Sequence, residues 1–582
     1  MQDPISIPPG RSSAGGAVTA RQTSWVNGVS LGYFALATAT VYLQLLIAPP
    51  NVMVARSLGL ALGALYLGLL ARHFDPGAVV LPQWLRRAFW IWVGVGALGV
   101  ALGEHWAVAL IRELEWLIYA AIALVVAGLR AHRERLAGYL LIAILTGVVV
   151  VIAQYAVLWS LLVDPRSHDW IWYPTPFIHL RHFGCFVAAG AAAALWPALC
   201  ADAGWRGHAA RVTGYVLFTL LAATILWTGG RAALLATIIG MALVLALAPP
   251  SPARRTLLRL LPFLVIAAGL LAEWFRTDNP GMGFSLFHGR RPGSIDDFAS
   301  GRMAIWMDAW RAALGSPLWG LGADGYGFLP GRADETAHPH NLLFQALTDW
   351  GFIGTAALLS IVGYVLWTVV GRFRRAGKAG QPPLSLPLLV VLGMLASLGF
   401  NSLLDGPLYH YPMMALAAIA FGLMLGHACA APDSGRPVAP PRGLAALATM
   451  ALLVAGVQLF NISTVMAGMG GQSWGYYSAR MMSLRAFPAY AVEVPAWSSR
   501  WAREEPQVLK PWLHWLQRNS RDAWRYYLVE ADWSRRQGDE AAARDFTDRA
   551  LRQAPRRTAQ ALRDQLSTGT AAKNSAASAS GD

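Results

Sequence analysis

Roughly thirteen apolar stretches, each about 17 to 25 residues long, recur along this chain, and that is the length at which an α-helix crosses a bilayer. Lipid offers no partner for backbone polar groups, so such runs are read as helices, which satisfy their own. They begin near Val26, Ala55, Ala88, Glu115, Ala137, Phe183, Val212, Ala232, Leu258, Gly351, Leu386, Tyr411 and Gly443. With 55% of its 582 residues hydrophobic and 14% charged, the chain is too apolar for a soluble domain of this size.

A net charge of +15 would suit a nucleic-acid partner if it formed one patch, but it is scattered through short loops between apolar runs, so no nucleic acid is expected. The basic loops are Arg86 and Arg87, Arg130 to Arg135, Arg206 to Arg211, Arg254 to Arg259, Arg372 to Lys378 and Arg436 to Arg442. They alternate with loops poor in Lys and Arg, the pattern of a bacterial inner-membrane protein whose basic loops stay in the cytoplasm. Met1 to Ser24 is polar and lacks the apolar core of a signal peptide, so it reads as a cytoplasmic tail. Residues 164–182, 228–231, 273–350 and 401–410, and everything after Thr464, then face the periplasm.

The expected fold is all-α: a polytopic transmembrane bundle of about 12–13 spans. Its parts are a tail (1–24), the first part of the bundle (25–272), a long periplasmic loop (273–350), the last part of the bundle (351–463), a small helical periplasmic domain (464–565) and a flexible tail (566–582). Within the C-terminal domain, Arg525 to Pro555 reads as one helical hairpin of tetratricopeptide type. The three cysteines, Cys185, Cys200 and Cys429, lie in or beside apolar runs and far apart, which argues against disulfides and against a metal cluster.

The chemistry-bearing residues fall on the outer face. The long loop carries Ser300-Gly-Arg302, then Pro317-Leu-Trp-Gly320-Leu-Gly322, then His338-Pro-His340-Asn341-Leu-Leu-Phe-Gln345. Pro339 suits the first turn of a helix, where its missing N–H costs nothing, so His340 and Asn341 are expected in that turn. A helix N-terminus favours a nearby phosphate and a neutral imidazole, and a neutral imidazole can take a proton from an attacking hydroxyl. Arginine in a membrane protein needs water, an acid or an anion. Arg231, after Thr228-Gly-Gly, can fork onto phosphate oxygens, and with Arg302 and His340 on the same face it points to an anion site, to which Arg181 is a further candidate.

Read together, these motifs resemble the membrane superfamily of O-antigen ligases, O-antigen polymerases and pilin-type protein O-oligosaccharyltransferases. Asn401-Ser-Leu-Leu-Asp405-Gly-Pro407-Leu-Tyr409 and the helical C-terminal domain are similar to the protein-glycosylating branch, whose Asn-His pair before the middle spans is replaced here by Arg181-His182. The resemblance covers about 177–430 well and the first five spans only in hydropathy.

It implies metal- and cofactor-independent transfer of a glycan from undecaprenyl pyrophosphate to an acceptor hydroxyl, with inversion in a single displacement. His340 would be the base, Arg302 and Arg231 would stabilise the leaving diphosphate, and Arg181, His338, Asn341, Gln345 and Tyr409, with Asp405, would line the substrate site. The expected partners are the lipid-linked donor, membrane lipids, and an acceptor: a pilin-like protein, lipid A core for a ligase, or a growing glycan for a polymerase. A transporter or flippase is the more remote alternative, since it would need mid-membrane charges and internal repeats.

Overall fold

The structure is a computed structural model that describes residues 24–37, 52–70, 79–129, 132–171, 179–200, 204–279, 282–283, 302–379, 384–429, 442–469, 513–514, 517–518, 521 and 523–579. The predicted tail up to residue 23 and Ser300-Gly301 lie outside them. Among the described residues there is no β-strand, as the apolar helical runs require.

The helices are α1 (24–37), α2 (Val52–Leu70), α3 (Gln83–Leu102), α4 (Trp106–Gly128), α5 (Arg133–Leu161), α6 (Leu180–Ala193), α7 (Trp205–Thr228), α8 (Arg231–Leu247) and α9 (Pro252–Trp274). There follow α10 (Arg302–Gly315), α11 (Leu342–Ala379), α12 (Leu386–Leu404), α13 (Tyr411–Ala428) and α14 (Arg442–Met469). The C-terminal unit is α15 (Ala523–Arg536), α16 (Glu540–Gln553) and α17 (Arg556–Ala579), which carries helix into the stretch expected as a tail. Seven of these, α3, α5, α7, α9, α11 (to Arg375), α12 and α13, are long and apolar enough to cross a membrane; Arg56–Leu70, Arg231–Leu247 and Arg442–Val457 are shorter apolar helices. Large side chains such as Leu161, Phe263, Leu270 and Trp367 stand exposed on them, as a surface bathed in lipid would have them.

Local chemistry sets the breaks. Ser251 accepts from the Arg254 amide and Pro252 opens α9, while Gly229 in the left-handed region closes α7 and lets the chain reverse into α8. Packed pairs such as α8 with α12, α4 with α13 and α3 with α11 bring the ends of distant segments together. The start of α2, α4, α6, α8, α11 and α13 and the end of α7 and α12 thereby lie at one end of the bundle.

The Pro317–Gly322 turn is architectural. α11 bends at Gly351 (φ 60, ψ −168), and the turn docks into the bend: the Leu321 amide donates to the Thr348 carbonyl (2.7 Å) and the Phe352 amide to the Pro317 carbonyl (2.8 Å). A Cβ on Gly320 (φ 72) would lie 2.5 Å from the Thr348 carbonyl oxygen, and one on Gly351 would lie 2.6 Å from that of Pro317. Only glycine permits this approach of backbone to backbone.

Candidate active site

The site gathers around one carboxylate. Asp405 caps the C-terminus of α12, is almost fully buried, and accepts through Oδ1 from His340 Nδ1 at 2.9 Å and from the Gly406 amide at 2.9 Å. Its Oδ2 lies 3.3 Å from Arg302 Nη2, at the start of α10, and His182 Nε2 approaches Oδ1 at 3.8 Å. His182 Nδ1 in turn meets His410 Nε2 at 2.8 Å. Burial alone would raise the Asp405 pKa, but the His340 hydrogen bond and the positive charge at His182 and Arg302 hold it well below the usual carboxylate range.

His340 has a left-handed backbone (φ 52), unusual for a non-glycine residue and costing on the order of 1–3 kcal/mol when imposed by surrounding structure. The reason lies in the cap. Sequence reasoning puts Pro339, His340 and Asn341 inside the first turn of the helix; instead α11 begins at Leu342, and Asn341 is the capping residue, its Oδ1 accepting from the Leu343 (2.9 Å) and Phe344 (3.2 Å) amides. The Asn341 Nδ2 donates to the Leu403 carbonyl (2.7 Å), which ties this loop to the end of α12. Both polar ends of Asn341 are thus committed to positioning His340 opposite Asp405.

His338 lies against Gly406 so closely that any Cβ there would overlap its ring, and it stacks on Tyr409 with centroids 4.2 Å apart and planes 12° from parallel. Its rings and those of His340 are 4.4 Å apart. Desolvation, with His340 and His182 nearby, lowers the pKa of His338 well below its ordinary value; burial likewise lowers that of His410, and brings that of His179, whose Nδ1 caps α6, to about 4. These three are therefore neutral histidines at pH 7.

Arg231 opens α8 beside the Gly229-Gly230 reversal, and Arg181 sits in the first turn of α6; the Arg181 charge feels Arg302, Asp405 and Arg231 together. Three guanidinium groups from three helices thus lie close enough to feel one another, with Arg302 alone in contact with the carboxylate, which leaves a net positive field for an anion. Gln345 lies one turn further along α11 and donates both ways onto Asp349 (2.8 and 2.9 Å), with its Oε1 buried and facing no donor. It lines a small cleft with Arg112, Trp116, His338, Asp405 and Tyr409.

Tyr409 is buried, with Arg56 and Arg112 5.1 and 5.0 Å from its ring centroid. Those two arginines share Glu115 (2.9 and 2.6 Å), and Arg56 also reaches Asp324 (3.4 Å). Sequence reasoning overlooked this buried network, as it did the part of His182 and His410. Its signal was present: Arg56, Arg112, Glu113 and Glu115 interrupt otherwise apolar stretches.

As for metals, His182, His340 and Asp405 offer donor atoms within 4.8 Å of one another. The carboxylate they share already faces the Arg302 guanidinium, whose charge opposes a dication, so the donor set fits a proton-handling cluster better than a metal centre.

Compared with protein families, residues 216–359 match the family described as O-antigen ligase. Those residues are similar to an O-antigen ligase domain. The matched stretch runs from within α7 to the middle of α11 and so contains Arg231, Arg302, His338, His340, Asn341 and Gln345, while Arg181, His182, Asp405 and Tyr409 reach the site from outside it. No curated protein matches the chain. The match supports glycosyl transfer of O-antigen-ligase type, and the seven long apolar helices suit a multi-pass membrane protein.

Proposed function

We propose that the protein transfers a glycan from undecaprenyl pyrophosphate to a Ser or Thr hydroxyl of a periplasmic, pilin-like protein, at the outer face of the bacterial inner membrane. In this reading the three shorter apolar helices cross the bilayer together with α1, α4 and α6, giving 12–13 spans with the 273–350 segment and the C-terminal unit outside. The observation that carries the proposal is the His340–Asp405–Arg302 constellation within reach of Arg181 and Arg231.

Because His340 Nδ1 faces a carboxylate oxygen, that nitrogen carries the proton and Nε2 presents a lone pair. The acceptor O–H gives its proton to Nε2 as its oxygen bonds to the anomeric carbon. The bond from that carbon to the phosphate oxygen breaks, and undecaprenyl pyrophosphate departs with the electron pair. Arg302, Arg231 and Arg181 stabilise the negative charge that builds on it, a task that fixed guanidinium groups perform without a metal ion. A single displacement inverts the anomeric configuration.

The description of the matched family supports a second reading, a ligase with lipid A core as acceptor. One experiment separates them: purified protein in detergent receives a labelled lipid-linked oligosaccharide and, in parallel, a pilin-like protein or lipid A core, with His340→Ala and Arg302→Ala as controls. Labelled protein, absent from both variants, supports the first reading. Label on lipid A core alone makes the enzyme a ligase, lengthened lipid-linked chains a polymerase, and transfer undiminished in His340→Ala removes the base assigned here.

A further inference from the structure

The C-terminal unit is joined to the site by more than proximity. Arg521 Nη2 bonds Asp324 Oδ2 at 2.8 Å, where Asp324 is 1% exposed. Asp324 has a left-handed backbone (φ 65), its amide donates to Asp349 Oδ1 (3.1 Å), and it is the meeting point of Arg56 from α2, Arg112 from α4 and Arg521 from the C-terminal unit. Burial would raise its pKa; the three arginines instead bring it to about 2. Its neighbour in the network is Tyr409, the ring on which His338 stacks.

A second set of bonds grips the same segment further along. Arg556, which opens α17, places Nη2 2.9 Å from Asp308 Oδ2 of α10, and its amide donates to the Arg332 carbonyl at 2.8 Å. Arg557 meets Asp334 (3.2 Å), Thr558 donates to Glu335 (2.8 Å), and Asp308 Oδ2 also accepts from the Ala333 amide (2.7 Å). The stretch from Asp324 to Glu335, which leads directly to His338 and His340, is therefore held at both ends by residues from the far end of the chain.

From this we infer that the C-terminal helical unit is a clamp on the active-site segment, in which Arg521 and Arg556 are positioning residues that hold residues 324–340 so that His340 keeps its left-handed approach to Asp405. The inference rests on the proposed role of His340 for its kinetic consequence, though not for its structural one. A unit that merely recruited acceptor would dock through exposed surface. Here one anchor is buried in the charge network beneath Tyr409, and displacing a base by about 1 Å costs on the order of 100-fold in rate.

The test uses full-length protein carrying Arg521→Met, Arg521→Lys or Arg556→Gln. Hydrogen exchange of the 325–341 amides is measured alongside kcat and the KM for each substrate. The expected result in Arg521→Met is faster exchange confined to that segment, a kcat lowered about tenfold or more and both KM values within about twofold, with Arg521→Lys recovering most of the rate. Unchanged exchange and kcat would overturn the clamp, as would a raised acceptor KM at constant kcat, which would make the unit an acceptor-binding module. If Arg521→Met does not express, Arg556→Gln, whose side chain is half exposed, carries the same readouts. Should the wild type transfer nothing to any acceptor, the proposed function falls, while the exchange measurement still decides the clamp.

Discussion

Replacing Asp405 by Asn is the sharpest challenge to the site, because the amide fits the space and removes only charge and one acceptor. Asp405 Oδ1 accepts from His340 Nδ1 (2.9 Å) and its Oδ2 faces Arg302 Nη2 (3.3 Å), so the amide has two orientations and both fail. With its oxygen toward His340, the new NH₂ meets the Arg302 guanidinium, donor against donor, and that arginine loses its anchor. With its NH₂ toward His340, Nδ1 must become the acceptor, Nε2 then carries the proton, and no lone pair remains for the acceptor hydroxyl. Loss of a carboxylate that sets a histidine's tautomer costs up to roughly 10⁴ in rate. A fall in kcat of at least about 10³ is expected here, which is about 4 kcal/mol of transition-state stabilisation at about 1.36 kcal/mol per tenfold. Initial rates of transfer from a labelled lipid-linked glycan measure it, with circular dichroism confirming the helices. Activity within tenfold of wild type in a folded Asp405→Asn protein would refute the dyad.

Three further outcomes are expected. His179, His338 and His410 titrate below the ordinary value of about 6.5 when folded, with His179 at about 4, so between those pH values the unfolded chain binds more protons and stability must rise with pH. Asp405, depressed when folded, adds stability that is present above about pH 4 and lost as pH falls further; melting temperatures in detergent at pH 7.5, 6 and 5 should therefore decline stepwise, and a flat profile would contradict the neutral histidine cluster. Dialysis against a chelator should leave transfer intact; loss of activity with the chelator, restored by a metal, would instead assign His182, His340 and Asp405 to a cation. Gly351→Ala should destabilise by more than about 1–3 kcal/mol, since φ 60 with ψ −168 is glycine-only backbone and the new Cβ strikes the Pro317 carbonyl; a melting temperature equal to wild type would show that the bend relaxes freely.

Residues that announce their chemistry one at a time were legible in the sequence, and pairings between them were not. Arg302 and His340 stood in short motifs, and a guanidinium or an imidazole beside the apolar runs of such a chain needs a reason to be there. Asp405 was visible only as a candidate wall of the site, because its meaning comes from His340, 65 positions away, and from the way Asn341 ties the two loops. The helix start was misplaced by a local competition. Proline at a first turn and asparagine at a cap are both favourable, and Asn341 wins because one side-chain oxygen satisfies two amides, which leaves Pro339 and His340 outside the helix. Arg56 and Arg112 were each conspicuous as charges in apolar runs, yet the acid that joins them, Asp324, lies 268 positions beyond Arg56, and nothing in periodicity connects the two. Buried charges are tolerated only in company. Arg56 and Arg112 find that company in Asp324, and Arg521 extends the same network to the C-terminal helices.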